Sequence, residues 1–353
     1  MTHSTPHGVI VVTGAAGGLG SAIAAEIASS PDLAPAYHGI YAVRDPSQAT
    51  ALTRALQQGQ RAHYRPYEIV RLNLEQLDSV RALAENINER VAKGDIPKIH
   101  ALVLNAGYLE LEKQTWVEGG LDASWTVNYL SHWLLVLLLL GSMDREKGRI
   151  VVLGSHTHDP YDKFNKGSMG GQFDDEKWTT ILGDSIEPLA KGTWSPNDGS
   201  PPELAGLRRY GAAKLCLIMM IGELQDRLDR DPLLNKITVL GVDPGWMATG
   251  ISRRHPMYPF VRVVMPWVAG ILSWLQPSGM YRTPSRSSKD VVAATFGIGP
   301  MRGMDLKGLY FKGAILSEVS TEARDQEKRK MVWRGSVEHA GLQQADTVLL
   351  DWS

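Results

Sequence analysis

The sequence predicts an α/β fold: a doubly wound parallel sheet of about seven strands, with helices on both faces. Three observations predict it. Short apolar runs recur along the chain, as strands buried on both faces require. Helix-compatible segments separate several of them, and that alternation builds parallel sheets. The first run ends in a glycine cluster, TGAAGGLG at 13–20, directly before a helix-like segment.

The elements follow in order. GVIVVTG (8–14) is the first strand, and SAIAAEIAS (21–29) the helix behind it. HGIYAVR (38–44), EIVRLNL (68–74) and IHALVLNAG (99–107) are the next three strands. LDASWTVNYLSHWLLVLLLL (121–140) is long enough for a helix, and GRIVVLGS (148–155) is a fifth strand. LRRYGAAKLCLIMMIGELQDRL (207–228) is a long helix, followed by a sixth strand, KITVLGVDPG (236–245). KGLYFKG (307–313) is a candidate seventh.

Length alone suggests two domains for 353 residues. No linker of distinct composition divides the chain, so residues 1–353 read as one domain with two elaborations. One is an insertion at about 156–206, rich in Gly, Pro, Ser and Asp and too long for an ordinary connection. The other is a C-terminal substrate or lid extension at about 250–353. Hydrophobic residues make up 43% and the formal net charge is -1. A sizeable core is expected, and no basic excess points to nucleic acid. The mixed run EARDQEKRKM (322–331) reads as a solvated helix face. Cys216 is the only cysteine, so no intrachain disulfide forms. A buried, inert thiol in a reducing, cytoplasmic setting is expected. No signal peptide is evident at the N-terminus, and WLLVLLLL (133–140) is too short to span a bilayer.

Glycines in TGAAGGLG allow a tight turn and close approach of a pyrophosphate, and the following helix offers free N–H groups. The spacing differs from the G-x-G-x-x-G dinucleotide fingerprint. Strand two ends AVRDP, with Arg44 ahead of Asp45. An acid there would accept a ribose hydroxyl, whereas Arg44 suits the 2′-phosphate of NADP. NAG (105–107) closes strand four with small residues that leave room for a ligand. Tyr210 and Lys214 in RRYGAAKLC lie four apart, on one face of a helix, a weak signal by itself.

Together these motifs resemble the short-chain dehydrogenase/reductase superfamily. TGAAGGLG is similar to its TGxxxGxG, NAG to its NNAG, and YGAAK to its YxxxK. PGWMAT (244–249) is similar to its PGxxxT. Asn128 in TVNYLSHW and Ser155 in RIVVLGS fall where its helical Asn and strand-five Ser fall. The resemblance covers about 8–250 and implies a Rossmann-like fold. The tail, 308–342, more loosely resembles retinol-dehydrogenase-like members, fungal ones most. The resemblance implies a catalytic set of Asn128, Ser155, Tyr210 and Lys214. Its cofactor set for NADP(H) is Gly14, Gly18, Leu19, Gly20, Arg44, Asn73, Leu74, Asn105, Ala106 and Gly107, then Tyr210, Lys214, Pro244, Gly245 and Thr249. Two departures stand out. Asn73-Leu74 replaces the usual Asp-Leu near the adenine, and 55 residues separate Ser155 from Tyr210.

A free tyrosine ionises near pH 10, so Lys214 is expected to lower the Tyr210 value and to hold the nicotinamide ribose. Tyr210 would exchange a proton with the substrate oxygen, Ser155 would hold that oxygen, and Asn128 would hold a water linking Lys214 to solvent. The pair His156 and His158 lacks partners at ligand spacing, so no metal site is expected. The apolar stretch 258–275 is open to three readings: a lid over a bulky substrate, a peripheral membrane contact, or packing. The resemblance implies a retinoid, steroid, terpenoid or polyketide class of substrate and a homodimer through the helices of Asn128 and Tyr210. A nucleotide-binding protein without net redox chemistry is the competing reading.

Overall fold

In β1 (Gly8–Thr13) every residue is buried, and alternate side chains serve different cores. Val9 and Val11 face one apolar cluster, Ile10 and Val12 the other. That is the mark of a strand covered on both faces. The computed structural model of the chain describes residues 6–60, 67–167, 171–197, 201–247, 279 and 281–353.

The strands are β1, β2 (Tyr37–Val43), β3 (Tyr67–Arg71), β4 (Ile99–Leu104), β5 (Arg149–Leu153), β6 (Thr238–Asp243), β7 (Tyr310–Lys312) and β8 (Ile315–Ser317). They form one sheet of order β3-β2-β1-β4-β5-β6-β7-β8. Only the β7–β8 pairing is antiparallel. The expected seven strands are present, and β8 is an eighth at the edge. Helices α1 (Gly18–Ser29), α2 (Thr50–Gln60) and α6 (Pro284–Phe296) pack on one face. The other carries α3 (Leu77–Lys93), α4 (Ala123–Ser142), α5 (Pro202–Arg230) and α7 (Gln326–Ala340). The chain order reverses between β1 and β4, where α/β sheets open a ligand crevice.

Helix α4 is long and apolar enough to cross a bilayer, yet nearly all of it is buried here as a core helix. Asp122 caps its start by accepting the N–H groups of Ser124 and Trp125. Residues Thr126–Leu130 form a π-helical turn within it, a distortion that often marks functional positions. Helix α5 starts five residues earlier than expected, because Pro202 suits the first helical position.

The C-terminal extension is largely scaffold where it is described. It supplies α6, β7, β8 and α7. Trp333 of α7 is buried edge-on against Trp133 of α4, at 5.2 Å between ring centres. Tyr129 of α4 bonds Ser336 of α7 at 2.7 Å, and Arg227 of α5 lies over Trp333. Thus α7 of the same chain packs on α4 and α5, the two helices for which the resemblance implied a two-fold contact. The charged run at 322–331 is partly buried by this packing: Glu322 accepts the N–H groups of Ile181 and Leu182. The stretch 258–275 and Thr249 lie outside the described residues.

The insertion is pinned from below by the two arginines ahead of Tyr210. Buried Arg208 donates to the Ser195 hydroxyl and the Gln172 carbonyl and stacks on Trp178. Buried Arg209 donates to Ser195 O, Asn197 and Lys113 O.

Candidate active site

The C-terminal ends of β1 and β4 are stitched together at the point where strand order reverses. The Thr13 hydroxyl accepts the N–H groups of Asn105 and Ala106, each at 3.0 Å. The Asn105 amide donates back to the carbonyls of Thr13 and Gly14 at 2.8 and 3.1 Å. Gly14 sits at φ 64°, and a Cβ there would lie 2.6 Å from Ala106 Cα. A Cβ on Gly20 would lie 2.4 Å from Gly14 O. Only glycine permits this contact of turn, strand end and helix. Helix α1 begins at Gly18 with no side-chain cap, leaving its first N–H groups for a ligand's phosphates. Leu19 is buried in the core behind the turn. These residues fit a dinucleotide cofactor. Gly107, just beyond Asn105 and Ala106, is exposed.

At the end of β2, the Asp45 carboxylate is consumed by its own turn. It accepts from Ser47 N, Ser47 Oγ and Gln48 Nε2, and those bonds hold its pKa below the usual range. Arg44 is exposed, with a long contact of 3.9 Å to Glu75. Asn73 folds into a local turn, its Oδ1 accepting Glu75 N–H at 3.2 Å. The oxygen expected to face a ligand therefore already has a partner. Leu74 is buried, and its carbonyl accepts the Ser131 hydroxyl. Across the crevice, Gly245 takes φ 74° and donates to Asp243 Oδ1 at 2.8 Å. The Pro244 carbonyl accepts the Ser287 hydroxyl.

Ser155, Tyr210 and Lys214 converge beside β5. Ser155 lies near enough to the Tyr210 phenol to favour its ionised form, and its hydroxyl accepts from the Thr157 hydroxyl at 2.9 Å. Lys214 is buried, 5.7 Å from the Tyr210 ring centre, and donates to Leu153 O at 2.8 Å. Burial pushes its pKa down to about 8, and the Asp243 carboxylate pushes back up. The expectation for Tyr210 is corrected. Burial first, then Asp243, raises its pKa above 10, and Ser155 opposes them. Tyr210 is held as a phenol, a proton donor. Asn128 also departs from expectation. Its side chain is spent on backbone groups, donating to Tyr108 O and Ser124 O and accepting Tyr108 N–H at 2.9 Å. It fixes the chain just beyond NAG.

Sequence reasoning missed Asp243 and His158. Strand alternation turns Asp243 toward the same side as Gly241, where a Cβ would meet Ile221 of α5. His158 donates from Nδ1 to Ser155 O at 2.6 Å, because its Nε2 accepts Ser320 N–H. It ties the serine to the C-terminal segment. Among the described residues no group of three or more His, Cys, Asp or Glu is placed to hold a metal. Cys216 is buried, and burial pushes its thiol up to about 12.

The role of Asp243 is testable. Replacing it by asparagine removes the charge that pushes Lys214 up, so the Lys214 midpoint should fall below about 8. The alkaline limb of kcat/KM should then move to lower pH. A limb that stays in place belongs to another group.

Comparison with known proteins agrees with this geometry. The family model described as short chain dehydrogenase matches residues 8–164. The chain is 43% identical to the short-chain dehydrogenase iccH of Talaromyces variabilis, over 98% of this chain and 99% of that protein. It is 28% identical to protochlorophyllide reductase A of Oryza sativa subsp. japonica, over 95% and 81%. Among solved structures, the angucycline C-6 ketoreductase LanV with bound NADP shares the fold at TM-score 0.55 and 19% identity, over 89% and 98%. NADPH-bound carbonyl reductase from chicken fatty liver does so at 0.56 and 17%, over 90% and 100%. The chain belongs to the short-chain dehydrogenase/reductase superfamily, an oxidoreductase family with a Rossmann-like fold.

Proposed function

We propose that the chain is an NADP(H)-dependent oxidoreductase that interconverts a ketone and a secondary alcohol on a bulky hydrophobic substrate. The convergence of Ser155, Tyr210 and Lys214 beside the glycine turn carries this reading. NADP(H), when bound, supplies or accepts the hydride at the carbonyl carbon. Tyr210, held as a phenol, gives its proton to the carbonyl oxygen during reduction and takes it back during oxidation. Ser155, beside that phenol, is placed to donate to the same oxygen. Lys214 supplies positive charge behind the phenol and a donor for the cofactor's ribose.

The choice of NADP over NAD rests on the end of β2. Asp45 is occupied by its turn, while Arg44 is exposed for a phosphate. The NADP-bound neighbours support it. Arg44→Ala should weaken NADPH binding roughly tenfold or more, as loss of a charged hydrogen bond does, and leave NADH binding nearly unchanged. Equal weakening of both would remove the phosphate role from Arg44. The substrate class rests on the apolar stretch 258–275, on the resemblance, and on LanV as a ketoreductase of an angucycline.

A further inference from the structure

His132 lies in α4, four residues after Asn128, and is fully buried. Its Nε2 stands 3.0 Å from the Thr13 hydroxyl and its Nδ1 3.3 Å from the Asn128 carbonyl. Neither the reaction as described nor the family motifs use it.

The partners decide how this ring is protonated. The Asn128 carbonyl can only accept, so Nδ1 carries the hydrogen and donates. The Nε2 lone pair then faces Thr13. The Thr13 oxygen already accepts two N–H groups, from Asn105 and Ala106. Its own hydrogen is therefore free to go to His132, since the alternative acceptor, Val103 O, is farther at 3.5 Å. One directional chain results. It runs from the turns at 13–14 and 105–106, through Thr13 and His132, to the backbone of the π-helical turn at Asn128. Burial first, then the Lys214 charge, lowers the His132 pKa to about 3. The imidazole stays neutral at any working pH, as this chain of bonds needs.

We propose that His132 is a positioning residue that joins the cofactor-binding turns to the proton-transfer helix through one fixed tautomer. The proposal rests on the cofactor reading above. The sequence offers no such hint, because a lone histidine in an apolar helix reads as a satisfied core residue.

The test measures NADPH affinity by protein fluorescence, with thermal midpoints recorded alongside. Glutamine at 132 can offer an oxygen to the Thr13 hydroxyl, while phenylalanine fills the space and offers nothing. His132→Gln should bind NADPH close to wild type, and His132→Phe roughly tenfold or more weaker. Thr13→Val, which also strands the Asn105 and Ala106 N–H groups, should weaken binding at least as much. Thr13→Val with His132→Phe should be no worse than Thr13→Val alone, since the His132 link is already broken there. If Gln and Phe at 132 bind alike, or if the two losses add, His132 only fills space and the proposal is wrong. If H132F does not fold, His132→Leu takes its place: it offers no acceptor to the Thr13 hydroxyl and should bind NADPH roughly tenfold or more weaker than His132→Gln. Equal binding of the Leu and Gln variants contradicts the proposal. A wild-type chain that fails to bind NADPH overturns the cofactor reading itself, and this proposal with it.

Discussion

Replacing Tyr210 by phenylalanine should lower kcat/KM for carbonyl reduction by roughly 10²–10⁴-fold, the usual worth of a positioned proton donor. The change deletes one oxygen and keeps the ring. Tyr210 is only half-buried, and its flanking helix is fixed by Arg208, Arg209 and Lys214, all buried. The fold should therefore survive, and NADPH binding should change little. What is lost is the proton that burial and the Asp243 charge hold on the phenol. Steady-state rates of the purified variant, with NADPH affinity measured in parallel, check this. A variant that keeps the wild-type rate would mean that the proton comes from elsewhere.

The second large effect concerns stability. Trp333→Ala should destabilise the chain by about 3–5 kcal/mol, the range for emptying a buried tryptophan site. Trp333 is 1% exposed. It meets Trp133 edge-on, carries Arg227 over its face at 4.4 Å, and donates its indole N–H to Trp352 O at 2.8 Å. Truncation leaves a cavity between α4, α5 and α7 and loosens the C-terminus. Such a loss is a large fraction of a domain's usual stability. Equilibrium denaturation measures it. A loss of about 0.5 kcal/mol or less, the range of surface substitutions, would mean that α7 does not seal the α4/α5 face.

The parallel strands were legible because each is a short, continuous apolar run. β8 was not: it has three residues, two of them exposed hydrophobics, Ile315 and Leu316, and its place depends on pairing with β7. Helix α3 was legible in principle, with buried Val80, Leu83, Ala84 and Ile87 at helical spacing. So was α6, which starts at Thr283-Pro284 and stops at Gly297 in the left-handed region. Both sit inside polar sequence that draws the eye to the neighbouring strands. At the site, the glycine turn, NAG, Ser155, Tyr210 and Lys214 are local motifs, and the structure brings them together. Asp243, His132 and His158 act through partners 29 to 162 residues away, which spacing cannot reveal. The direction of the Tyr210 shift was also hidden. It depends on burial and on Asp243, whereas the sequence shows only Lys214 one turn away.

The proposed function requires this site to move a hydride between NADPH and a bulky ketone. The most direct measurement follows NADPH absorbance during incubation with a panel of bulky cyclic and aromatic ketones, with product analysis for the matching alcohol. NADPH oxidation should be matched one for one by formation of a secondary alcohol with at least one of them. Tight NADPH binding with no oxidation by any ketone, and no NADPH formed from the corresponding alcohols and NADP, would contradict it. That outcome would leave a nucleotide-binding protein without redox chemistry.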